Sequence, residues 1–115
     1  MTPSPISSLL VYQRMLKSEV DPNSYTFPFL FKSCAKARAT NEGRQVDAHV
    51  VKFGFVSDAH VHTSLITMYA QIGELGNARL VFDGKNLRDA VSFTALIYGY
   101  VSEGYVDDAR NLALG

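Results

Sequence analysis

Displaced by 31 residues, the sequence meets itself: Asp58, Thr63, Leu65, Ile66, Tyr69, Gly73, Ala78 and Arg79 fall on Asp89, Thr94, Leu96, Ile97, Tyr100, Gly104, Ala109 and Arg110. Identities this dense in one register mark a tandem repeat. A unit of this length is one supersecondary element, able to bury its apolar face only against its neighbours. A weaker offset of 35 sets Leu30, Arg44 and Val46 against Leu65, Arg79 and Val81. The chain therefore divides into a leading half unit at 1–23, a long unit at 24–58, a short unit at 59–89 and a shortened third unit at 90–115.

Within the units the apolar spacing is helical. Val61, Leu65, Met68, Tyr69 and Ile72 recur every three or four residues, and so do Phe27, Leu30, Phe31 and Cys34 before them and Phe93, Leu96, Ile97 and Tyr100 after. A second, shorter helix follows each, carried by Val46, His49 and Val50, by Leu75, Ala78 and Phe82, and by Val106, Ala109 and Leu112. Gly54, Gly73, Gly84 and Gly104 stand where the periodicity stops, as expected of helix ends that need a left-handed residue. An opening helix is expected around 8–17, ended by Pro22. Asn23 and Ser24 can cap the next one, Pro28 suits its first turn, and Asp58 and Asp89 precede later helices as caps. The expected fold is all-α, a solenoid of helix-turn-helix repeats with no strands.

Composition removes several classes. No apolar run reaches the ~18 residues of a membrane-spanning helix, and 47% hydrophobic content supplies the surface that a disordered chain lacks. Eleven basic residues balance eleven acidic ones, so net charge advertises no partner. Cys34 is alone, which excludes an internal disulfide and a cysteine-rich zinc site. The first residues, Met1 to Pro5, have neither the pattern of a secretory signal nor that of a transit peptide, so any targeting address is expected to be lost or to lie outside this chain.

The repeat units resemble plant pentatricopeptide repeats. The resemblance rests on Tyr-Thr-Phe-Pro-Phe-Leu-Phe-Lys-Ser-Cys-Ala-Lys at 25–36, His-Thr-Ser-Leu-Ile-Thr-Met-Tyr-Ala at 62–70, Ala-Arg-Leu-Val-Phe-Asp at 78–83 and Arg-Asp-Ala-Val-Ser-Phe-Thr-Ala-Leu-Ile at 88–97. The order of a 35-residue unit, a 31-residue unit and a third is similar to the long, short and standard motifs of the PLS subclass, which chiefly contains organellar RNA-editing factors. The resemblance implies a right-handed α-solenoid whose concave groove binds single-stranded RNA, about one base per unit. Its other implications are a mitochondrial or chloroplast location, further editing or RNA-processing proteins as partners, and no cofactor, metal or membrane.

In that family the fifth and last residues of a unit read the base, and the second residue helps to sandwich it. The short unit then offers Thr63 and Asp89, a pair that the resemblance associates with guanine. Thr donates and accepts, whereas ionised Asp only accepts. The second positions are Tyr25, His60 and Val91, of which Val91 is the usual type and His60 a departure. The long unit has Pro28 fifth and Asp58 last; proline has no side-chain hydrogen bond to give, so this unit is expected to contribute groove shape. Thr94 is fifth in the third unit, and Asn23 closes the leading half unit. Lys32, Lys36, Arg38 and Lys52 are candidates for neutralising phosphates.

A plainer reading stands beside this one, in which Thr63 and Thr94 are solvated early-helix residues and Asp58 and Asp89 are caps. Arg79 and Arg110 are expected to pair with Asp83 and Asp107. No catalysis is expected. The His-x-Glu and Cys-x-x-Cys of a zinc deaminase are absent, as is a phosphate-binding loop, and His60 and His62 point roughly 200° apart on a helix. His49 and Cys34 read as core residues. Two other functions remain open: a protein-binding scaffold like the tetratricopeptide repeats, which keep a strict period of 34, and a degenerate gene relic, since the units are cut at both ends. Whatever the function, end units without polar capping repeats are expected to leave apolar surface bare at Leu9, Leu10, Leu112 and Leu114.

Overall fold

The computed structural model describes residues 5–84 and 90–114. It consists of seven α-helices: α1 (Pro5–Lys17), α2 (Thr26–Ala37), α3 (Thr40–Lys52), α4 (Ala59–Ile72), α5 (Leu75–Asp83), α6 (Ala90–Ser102) and α7 (Val106–Leu114), with no strand among the described residues. The pairs α2–α3, α4–α5 and α6–α7 are helix-turn-helix pairs, and α1 precedes them and packs on α2. A radius of gyration of 14.4 Å and extents of 48 × 29 × 20 Å describe an elongated stack, slightly larger than the ~13 Å of a compact chain of this length.

The first helices form the inside of the stack. The most extensive contacts join α2 to α4 and α4 to α6, while each second helix packs mainly on the first helices beside it. Burial follows the apolar spacing closely. Phe27, Phe31, Ile66, Ala78 and Leu96 are fully buried, and Leu30, Cys34, Val46, Val61, Met68 and Phe82 nearly so. At ~25 cal/mol per Å² of apolar surface removed from water, this inner row supplies most of the drive to stack.

Five helix ends share one device. Glu19, Arg38, Gly54, Gly73 and Gly104 have positive φ, and the next amide donates to the carbonyl five residues back in every case: Val20 to Met15, Ala39 to Cys34, Phe55 to Val50, Glu74 to Tyr69 and Tyr105 to Tyr100. The sequence reading found three of these five. Gly84, expected among them, instead has φ −74° and ends α5 in a right-handed conformation. Arg38 takes a left-handed conformation (φ 54°) with a side chain attached, and its side chain has work there, described below.

The last pair is less covered than its periodicity suggests. Phe93 and Val106 are exposed, Ala109 is buried, and Leu112 is half-buried against the core, so Leu112 does not join the bare surface expected of it. Leu10 and Leu114 do, at 55% and 81% exposure. The side chain of Leu9 lies outside the described residues. No described helix is long and apolar enough to cross a membrane.

Candidate nucleic-acid interface

Because α2, α4 and α6 lie side by side, residues at matching places in each first helix are brought onto one surface. Two clefts result. The first, of about 510 Å³, gathers Pro28 and Lys32 from α2, His60 and Thr63 from α4 and Val91 from α6. The second, of about 860 Å³, has Lys36 on one wall, Thr67 and Gln71 on its floor, and Val91, Thr94 and Tyr98 on the other wall. Five of the residues singled out by repeat position, Pro28, His60, Thr63, Val91 and Thr94, thus share a continuous groove, with Val91 common to both clefts.

Tyr25 and Asn23 line a smaller, apolar cleft against α1. The Tyr25 ring is 76% exposed and stands edge-on to His60, with centroids 6.3 Å apart. Asn23 is engaged in the turn before α2, where its side-chain oxygen accepts from the amides of Tyr25 (2.9 Å) and Thr26 (3.1 Å). Asp58 is similarly engaged. Its Oδ1 accepts from the Val61 amide at 3.0 Å, capping α4, and it lines neither cleft. This is the contact that the plainer capping reading expects. Asp89 lies outside the described residues.

On α4 the Ser64 hydroxyl donates to the His60 carbonyl and the Thr67 hydroxyl to the Thr63 carbonyl, both at 2.9 Å. These back-bonds hold the hydroxyls against their own helix. Lys32 and Lys36 are exposed along the groove. Arg38 lines the larger cleft at its far end, where its guanidinium donates to the carbonyls of Gln71 (3.1 Å) and Ile72 (2.9 Å), satisfying the open C-terminal end of α4 and facing its negative dipole end. Arg38 therefore meets the cleft as a cation already hydrogen-bonded to the end of α4. Lys52 sits on the second helix, with its ammonium 5.6 Å from the Phe53 ring centroid, away from both clefts.

The remaining titratable groups are structural. Burial, with the nearby Glu42 carboxylate, pushes the Cys34 thiol up to about 11. Burial lowers His49, which meets the Tyr12 hydroxyl at 2.9 Å. Burial also raises the Asp47 carboxyl, which accepts from the Tyr69 hydroxyl at 3.1 Å between α3 and α4. The two histidines of α4 diverge as the helix geometry requires. His60 is exposed in the groove, whereas His62 is buried on the α5 side with its Nε2–H donating to the Val81 carbonyl at 3.1 Å. Arg79 pairs with Asp83 at 2.9 Å and Arg110 with Asp107 at 3.6 Å.

Residues 91–112, which span α6 and most of α7, match the PPR repeat family. The rest of the chain is covered by likeness to Arabidopsis thaliana pentatricopeptide repeat-containing proteins. One is 42% identical over 105 residues, 91% of this chain. A second, named chloroplastic, is 51% identical over 92 residues, 80% of this chain. A third, named mitochondrial, is 39% identical over 109 residues, 92% of this chain.

The chain carries pentatricopeptide repeats of the plant type. It spans 12%, 12% and 16% of the length of these three relatives. In this pentatricopeptide stack the groove residues that sequence reasoning missed are Thr67, Gln71 and Tyr98. The signal for them was present: they stand four or eight residues after Thr63 and Thr94, hence on the same face of α4 and α6.

Proposed function

We propose that the groove formed by α2, α4 and α6 binds single-stranded RNA, with units at 24–58, 59–89 and 90–115 each facing about one base. The observation that carries this reading is the convergence of Pro28, His60, Thr63, Val91 and Thr94, picked by repeat position alone, onto one surface flanked by Lys32 and Lys36. Such a surface combines short polar groups for base edges, rings and a valine for base faces, and cations for phosphates. Thr63 with Asp89 favours guanine opposite the short unit, Thr94 reads the next base, and Tyr25, His60 and Val91 flank the bases. Pro28 gives the long unit shape without a hydrogen bond, and Asn23 and Asp58 act at unit boundaries.

The long–short–standard order supports membership of the PLS subclass and a part in recognising C-to-U editing sites or another organellar RNA-processing step, with other processing proteins as partners. The chloroplastic and mitochondrial names among the relatives support an organellar setting. The test is fluorescence anisotropy of this chain with short unstructured RNAs differing at one position, at fixed salt. We expect salt-sensitive binding, a guanine preference on the order of 1–3 kcal/mol at one position, a shift towards uracil with Thr63→Asn, and loss of preference with Thr63→Ala. Equal affinity for all four bases, unmoved by either substitution, would favour a protein-binding scaffold instead.

A further inference from the structure

Tyr98 is 71% exposed and plays no part in the core. It lines the larger cleft four residues after Thr94, so the two side chains share a face of α6 one turn, ~6 Å, apart. Lys36 stands on the opposite wall, in the last turn of α2. Beyond it, Arg38 is tied to the end of α4, and Glu103 approaches the same point beside Gly73. The cleft thus brings together a hydroxyl suited to a base edge, a phenol one turn further along the same helix, an ammonium on the facing helix and, beside Gly73, the Glu103 carboxylate next to the Arg38 guanidinium.

A nucleotide joins its base directly to the sugar and the sugar to the phosphate. With the base edge at Thr94, the sugar attached to it comes within reach of Tyr98 one helical turn away, and Lys36 is the ammonium that the same cleft offers its phosphate. We propose that Tyr98 is a ribose-recognising residue, whose ring packs on the sugar and whose hydroxyl hydrogen-bonds the 2′-hydroxyl, so that this cleft selects RNA over DNA. Both hydroxyls can donate and accept, so the pair is satisfiable in either direction. The 2′-hydroxyl is the one group by which a protein can tell the two backbones apart at a given site. The phenol also offers an apolar face that a serine or lysine in its place would lack.

This inference rests on the RNA-binding reading of the groove, and the experiment separates the two. Anisotropy is measured for the whole chain with a short fluorescein-labelled RNA and with DNA of the same sequence, for the wild type, Tyr98→Phe and Tyr98→Ala. Tyr105→Phe serves as control, because Tyr105 is an exposed phenol outside both clefts. Tyr98→Phe should cut the preference for RNA over DNA roughly three- to tenfold, the range of one hydrogen bond, by weakening RNA binding alone. Tyr98→Ala should weaken both ligands, and Tyr105→Phe neither. Far-ultraviolet circular dichroism verifies that each variant keeps its helices.

An unchanged RNA-to-DNA ratio in Tyr98→Phe, with wild-type RNA binding intact, would overturn the ribose assignment and leave the groove reading standing. Equal affinity for RNA and DNA in the wild type would overturn it as well. No binding of either ligand by the wild type would remove the groove reading and the assignment together.

Discussion

Gly99 and Gly76 accept the same methyl group in opposite surroundings, which lets a single substitution type test how closely the first helices pack. A Cβ on Gly99 would lie 2.7 Å from Leu75 Cδ2, 3.3 Å from the Ala70 carbonyl oxygen and 3.5 Å from Ala70 Cβ, whereas one on Gly76 would meet nothing within 4 Å. Carbon atoms rest ~3.5–4.0 Å apart, so the Leu75 methyl must retreat by about 1 Å. Leu75 is 7% exposed, and its retreat presses on the core. The Ala70 carbonyl belongs to the backbone of α4 and yields only if α4 and α6 separate. Overpacking of this kind costs ~1–3 kcal/mol, offset by a gain of up to ~1 kcal/mol from replacing glycine within a helix. Gly99→Ala should thus be destabilising by ~0–2 kcal/mol, and Gly76→Ala stabilising by up to ~1 kcal/mol. Urea titrations followed at 222 nm should separate the two midpoints by on the order of 1 M. In a Leu75→Ala background the penalty at Gly99 should shrink, because the displaced methyl is gone. If Gly99→Ala raises the midpoint as much as Gly76→Ala, the close approach of α6 to α4 is wrong.

Two further outcomes follow from the same structure. Cys34, buried and with its thiol held up at about 11, should react with a disulfide reagent at neutral pH only through opening of the fold, so its labelling rate should track unfolding across the Gly99 and Gly76 variants; rapid labelling in the native state would contradict its burial. Asp58→Ala should lower stability by ~1 kcal/mol through loss of the Val61 cap, while Asp58→Asn should retain most of it, as thermal melts would report; equal losses would point to charge in place of capping.

The helices were legible because burial here is local and periodic. Val61, Leu65, Met68, Tyr69 and Ile72 are all buried, as the spacing along α4 requires. Val106 has the same periodic credentials yet is exposed, since periodicity identifies a face and not whether anything lies against it. Glycine marked three left-handed helix ends but also suggested a fourth at Gly84, where α5 closes in a right-handed conformation. Glu19 and Arg38 were missed because residues with a Cβ seldom sit there. At Arg38, two hydrogen bonds to the end of α4 accompany the left-handed backbone, a long-range relation that no local pattern records. In the candidate groove, Thr63 and Thr94, picked by repeat position, line the two clefts. Repeat position passed over Tyr98 because an aromatic residue at helical spacing reads by default as core.

The uneven packing of the two helix rows has a mechanical side. The inner row runs unbroken from α2 through α4 to α6, whereas the outer helices α3 and α5 share little direct contact and leave a cleft walled by Val50, Val51, Val56 and Val81. Bending about an axis within the inner row widens or narrows such outer gaps while sparing the interdigitated core. Stiffness therefore resides on the groove side and compliance on the opposite side. A strand lying in the groove would be held against the stiff side, and changes in superhelical curvature would be taken up behind it, where no side chain proposed to touch the strand has to move.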